Sequence, residues 1–89
     1  MTDAASPSEI MFYGAGWCGD CRRSRALLDS LDVPYVYNDV EHDASLADTA
    51  HEISGGTHIP VIQFPDGTVQ VEPTDPELSE KLAALGLTK

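Results

Sequence analysis

At 89 residues, 42% of them hydrophobic and none in a run long enough to span a bilayer, the chain has the size of one small globular domain. Fifteen acidic residues against five basic ones give a formal net charge of −10, which repels phosphates and excludes nonspecific binding to nucleic acid or an anionic membrane surface. Two cysteines are too few for the disulfide framework of a small secreted domain. The polar, acidic start MTDAASPSE lacks both the basic and the apolar part of a secretory leader, so the expected setting is the reducing cytoplasm.

Residues 1–8 read as a flexible tail and residues 9–89 as one domain. Glu9 to Tyr13, EIMFY, is a short apolar and aromatic run ended by Gly14, Ala15 and Gly16, which predicts a buried strand and a loop. The spacing of Ser24, Leu27, Leu28 and Leu31 predicts a helix from Gly19 to Leu31, closed before Pro34. Tyr35 to Val40, YVYNDV, is rich in β-formers and fits the second strand of a βαβ unit, parallel to the first. Asp43 or Ser45 caps a second helix running to about Ile53, stopped at Ser54-Gly55-Gly56. Val61 to Phe64 and Thr68 to Glu72 flank the turn signal Pro65-Asp66-Gly67 and predict an antiparallel hairpin. Thr74 or Asp75 caps the last helix, with Pro76 suited to its first position and Leu78, Leu82 and Leu85 forming its apolar stripe. The predicted order is βαβαββα.

The stretch GWCGDCRRS carries the chemistry. Cys18 and Cys21 sit three positions apart at a predicted helix start, and two cysteines placed at random fall at this spacing only about two times in a hundred. The outer position meets the unpaired N–H groups and positive dipole end of the helix, which favour a thiolate, so Cys18 is the expected nucleophile and Cys21 the resolving thiol. Gly19 allows close approach by a partner's backbone. Asp20 places a negative charge beside a developing thiolate, and Arg22 and Arg25, placed by the helical wheel toward Cys18, oppose it or attract an anionic substrate. Zinc is not expected, because His42, His51 and His58 lack paired ligand spacing near the cysteines.

With these residues in place, the sequence resembles the glutaredoxin branch of the thioredoxin superfamily from Ile10 to Leu85. Trp17-Cys18, Glu41-His42, Ser54-Gly55-Gly56, His58-Ile59-Pro60 and Asp66-Gly67-Thr68 together look most like the actinobacterial mycoredoxins. The resemblance implies an α/β, thioredoxin-like (glutaredoxin) fold, a four-stranded mixed sheet with three flanking helices. It also implies that Pro60 is cis and faces the cysteines, leaving the Ile59 backbone to pair with substrate. Trp17, Gly19, Asp20 and Arg22 around the cysteines, with Thr74 and Asp75 in the segment that holds the small thiol in the family, complete the expected substrate contacts. Glutathione-using glutaredoxins commonly carry a lysine shortly before the first cysteine and Pro-Tyr between the two, where this chain has Ala15 and Gly19-Asp20.

The function implied is a cytosolic thiol–disulfide oxidoreductase that reduces protein disulfides, or mixed disulfides with a low-molecular-weight thiol, through its C-G-D-C motif. Mycothiol is the implied electron donor, with no tightly bound cofactor, disulfide-containing proteins as clients and a monomer as the working form. One alternative is a donor to a reductase such as ribonucleotide reductase, itself recharged by the flavoprotein thioredoxin reductase. Another is an iron–sulfur cluster shared between two subunits through Cys18 and small-thiol cysteines.

Overall fold

A computed structural model describes residues 9–88; the tail expected over residues 1–8 lies outside the described residues. The elements are β1 (Ile10–Gly14), α1 (Gly19–Ser30), β2 (Tyr35–Asp39), α2 (Ala44–Ser54), β3 (Val61–Gln63), β4 (Val69–Val71) and α3 (Asp75–Ala84), the predicted order. They build one four-stranded sheet in the order β2-β1-β3-β4. β1 runs parallel to β2 and antiparallel to β3, and β3 pairs antiparallel with β4.

Side chains of β1 and β3 alternate between two apolar layers, as the two-residue period of a strand requires. Ile10 and Phe12, with Ile62 and Phe64, pack with Cys21 and Leu28 of α1 and Leu78 and Leu82 of α3. Tyr13 and Val61 face the other way, onto Ala50 of α2, with Met11, Leu46 and Ile53 around them. The central strands are therefore apolar on both faces, which is why EIMFY shows no polar alternation.

Element ends follow local chemistry. Asp43, not Ser45, caps α2, accepting from Ser45 and Leu46 N–H at 3.0 and 3.4 Å, and Gly55 ends the helix at φ 77°. Thr74 caps α3 in a reciprocal box: its hydroxyl accepts the Glu77 N–H at 3.2 Å, and its own N–H donates to the Glu77 carboxylate at 2.8 Å. With Thr74 as cap, Pro76 falls at the second helical position instead of the first. The hairpin turn is fixed by Asp66, which accepts from the N–H and hydroxyl of Thr68 at 3.0 and 2.6 Å and from Lys81 at 2.8 Å. Those donors hold the Asp66 carboxyl down at about 2.

The buried stripe of α1 differs from the expected one. Cys21, Ser24 and Leu28 face the core, whereas Leu31 becomes the C-cap and is 37% exposed. A thiol thus takes the first core position of the helix.

This topology assembles the site. In the β1–β3 register Tyr13 pairs with Val61. One step forward on β1 is Gly14, leading into the Cys18 loop; one step back on β3 is Pro60. The antiparallel pairing therefore brings the Ile59–Pro60 bond, which is cis, beside the start of α1.

Candidate active site

Cys18 is the N-cap of α1, in extended backbone geometry, and its sulfur accepts the Cys21 N–H at 3.2 Å. An N-cap acceptor usually comes from Ser, Thr, Asp or Asn; here sulfur fills the place and gives the otherwise orphan N–H its partner. The Cys18 thiol also lies 3.9 Å from the Ile59 carbonyl. It is 8% exposed, and its open side meets a pocket of about 440 Å³ lined by Trp17, Cys18, Asp20, His58, Ile59 and Glu72, among others.

Cys21, one turn further in, is fully buried among Phe12, Leu28 and Leu78. Burial, followed by its thiol hydrogen bond to Cys18, pushes the Cys21 thiol up to about 12. Gly14 makes room for it: a Cβ there would stand 2.8 Å from the Cys21 sulfur and 2.9 Å from the Phe12 ring. Both cysteines are free thiols.

Trp17, 66% exposed, divides the surface around Cys18. It also lines a second cavity of about 290 Å³ that Cys18 does not line, mostly apolar, with Ala15, Val40, Ala47 and Ala50 among its lining residues and His51 and Glu41 also contributing. Trp17, Thr57, His58 and Ile59 line both cavities.

Of the residues expected to meet substrate, Trp17, Gly19, Asp20 and Ile59 line the pocket with Cys18, whereas Pro60 is fully buried and does not line it. Arg22, Thr74 and Asp75 do not line it. The expected pairing of Asp20 with Arg22 and Arg25 is corrected by the structure. Arg25 lies on the sheet, its guanidinium 3.8 Å from the centroid of Tyr37 and its Nε donating to the Tyr35 hydroxyl at 3.2 Å. Arg23 is the partner of Asp20, at 2.8 Å, and it reaches on to the Asp75 carboxylate at 3.4 Å and the Pro73 carbonyl at 3.3 Å. One guanidinium thus ties the start of α1 to the start of α3. The i, i+3 spacing of Asp20 and Arg23 was the signal available in the sequence.

Glu72 had no such signal, whereas His58 directly precedes the expected substrate contact Ile59. Glu72 follows β4, sits at φ 50° and donates its N–H to the Pro60 carbonyl at 2.9 Å; its carboxylate lies 3.2 Å from His58 Nδ1. Hairpin pairing alone brings it to Cys18. His42 is taken up by Asp39, whose carboxylate it meets at 2.7 Å; that contact lowers Asp39 and raises His42. Asp39, half-buried, and the exposed Glu41 and His42 bring together one group of metal-ligating side chains that includes neither cysteine, and Asp39 already accepts two backbone N–H groups there.

Comparison with known proteins agrees with this architecture. Mycoredoxin 1 of Corynebacterium glutamicum is 31% identical over 80 residues, spanning 88% of this chain and 98% of that protein. A Mycobacterium tuberculosis protein named as a glutaredoxin is 29% identical over 77 residues, 85% of this chain and 92% of its own. Among solved structures, a glutaredoxin from Archaeoglobus fulgidus superposes with a TM-score of 0.74 at 20% identity, covering 82% of this chain and 84% of that one. The buckwheat glutaredoxin–glutathione complex gives 0.68 at 17% identity, covering 96% and 86%. The family model described as Glutaredoxin matches residues 10–69, and with the paired thiols at the head of α1 this places the chain in the glutaredoxin family of thiol–disulfide oxidoreductases.

Proposed function

We propose that this chain is a cytoplasmic, monomeric reductase of mixed disulfides between proteins and a small thiol, with mycothiol as that thiol. The observation that carries the reading is the placement of the Cys18 sulfur as the helix cap, at the mouth of an open pocket, with Cys21 enclosed behind it. Cys18 attacks the small-thiol sulfur of the mixed disulfide and releases the client as a thiol. A second small thiol then frees Cys18, or Cys21 does so and leaves an internal disulfide.

Mycothiol is supported by the likeness to Mycoredoxin 1 and by Ala15 and Gly19-Asp20 standing where glutathione users carry other residues. The Ile59 backbone, its carbonyl 3.9 Å from the Cys18 sulfur, and the exposed Trp17 suit an extended client segment. No helix among the described residues is long and apolar enough to cross a membrane.

The test is turnover of a mixed disulfide between mycothiol and a model thiol, with mycothiol, glutathione or thioredoxin reductase as electron source. Expected is turnover with mycothiol that disappears in Cys18→Ser and persists in Cys21→Ser. Turnover only with the flavoprotein, requiring both cysteines, would refute the small-thiol route.

A further inference from the structure

We propose that the pocket at Cys18 selects its disulfide by charge, accepting uncharged or cationic thiol halves and repelling anionic ones, with Asp20 and Glu72 as the side chains that set this preference. The inference rests on Cys18 being the attacking sulfur and adds what that sulfur will accept.

Two carboxylates, Asp20 and Glu72, line the pocket, and no lysine or arginine does. The cation paired with Asp20 is Arg23, which Asp20 shares with a third carboxylate, Asp75, at 2.8 and 3.4 Å; Arg22, whose backbone N–H donates to the Cys18 carbonyl at 3.1 Å, is exposed and does not line the pocket. The Arg23 guanidinium donates further to the Pro73 carbonyl, so its charge is already shared between two carboxylates and a carbonyl. Glu72 has His58 at 3.2 Å, which offsets its charge only while the imidazole is protonated. The positive end of α1 is met by the Cys18 sulfur itself. An anionic substrate therefore finds two carboxylates and no lysine or arginine lining the pocket, on a protein whose formal charge is already −10. The arginines beside the motif, which in the sequence resemble an anion lure, do not line the pocket.

The step is a balanced exchange. The Cys18 thiolate attacks one sulfur of a small disulfide; that S–S bond breaks, a Cys18–S bond forms, and the other half leaves with the electron pair and takes a proton from water. Cys21 then loses its proton, attacks the Cys18 sulfur and expels the second half. The protein dithiol is oxidised to a disulfide and the small disulfide is reduced to two thiols, so a single turnover needs no other reductant. For a client protein, the same filter favours a cysteine flanked by lysine or arginine over one flanked by acids.

The experiment uses three small disulfides of equal chain length and different charge: bis(2-aminoethyl), bis(2-hydroxyethyl) and bis(2-carboxyethyl) disulfide. Single-turnover oxidation of the pre-reduced protein is followed through the fluorescence of Trp17, its only tryptophan. Intrinsic differences among the three reagents cancel when each variant is compared with wild type. Expected is that Asp20→Asn and Glu72→Gln each lower the cationic-to-anionic rate ratio by about fivefold or more, the scale of one unit charge a few ångströms away in water. In wild type the ratio should shrink as salt rises from about 0.01 M to about 1 M, where the Debye length falls from about 30 Å to about 3 Å.

Equal changes in all three rates would mean that the carboxylates act on the sulfur and not on the substrate, and would overturn the proposal. So would a wild-type ratio insensitive to salt. Oxidation that persists in Cys18→Ser would instead overturn the assignment of the attacking sulfur, a separable failure.

Discussion

Cys18 and Cys21 are one helical turn apart and occupy different media. The outer sulfur caps α1, accepts a backbone N–H and opens onto a pocket; the inner one sits fully buried against β1 and α3, its thiol pushed up to about 12. The contrast shows how a two-residue gap at a helix start divides labour between chemically identical side chains. Position along the helix decides which sulfur meets solvent and the dipole, and which one meets hydrocarbon.

The largest effect that sharpens this contrast is in pH. Attack by Cys21 needs its thiolate, and a thiol raised to about 12 carries very little of it at neutrality. Because the pKa is raised, the reactive fraction grows with pH, so resolution by Cys21 should accelerate about tenfold per pH unit until the thiol approaches its titration. Two of the causes holding it up, the hydrogen bond to Cys18 and the charge on Cys18, vanish once Cys18 is in a mixed disulfide, while burial remains. Rapid-quench measurement of internal disulfide formation checks this; a rate flat with pH would show that Cys21 is not limited by deprotonation.

A smaller effect tests the packing around the inner thiol. Gly14→Ala would set a methyl group 2.8 Å from the Cys21 sulfur, against a wall that cannot give way freely. Overpacking of this kind costs about 1–3 kcal/mol. Denaturant unfolding should register that loss, and resolution by Cys21 should slow while the first attack by Cys18 changes by less than about twofold. Equal slowing of both steps would break the separation between the two regions.

The smallest expected effect is at Arg23, whose ion pairs with Asp20 and Asp75 are nearly half exposed. Arg23→Ala should cost on the order of 0.5 kcal/mol by thermal or denaturant unfolding, as exposed pairs do. A loss several times larger would mean that the bridge between α1 and α3 holds the fold together more than its exposure suggests.

Much of this was readable along the chain. All seven elements, the Asp66-Gly67 turn and the cap of the last helix follow from local pattern and turn chemistry, because their causes lie within a few residues. The pair itself was legible for the same reason: Cys18 and Cys21 need only a helix start between them. What escaped depends on contacts distant in sequence. Arg25 is drawn to Tyr35 and Tyr37 by the second strand, and Glu72 reaches the pocket only through hairpin pairing. Leu31 fits the helical stripe by spacing, yet the helix ends there, so Cys21 joins the expected Ser24 and Leu28 on the core face.

The most direct test of the account is to treat the fully reduced protein at neutral pH with less than one equivalent of a thiol-reactive alkylating agent and locate the label by peptide mass spectrometry. Labelling of Cys18 with Cys21 essentially untouched is the predicted result, since the capping sulfur opens onto a pocket whereas Cys21 is fully buried with its thiol pushed up to about 12. Labelling of Cys21 at a comparable rate would contradict the division of roles on which the account rests.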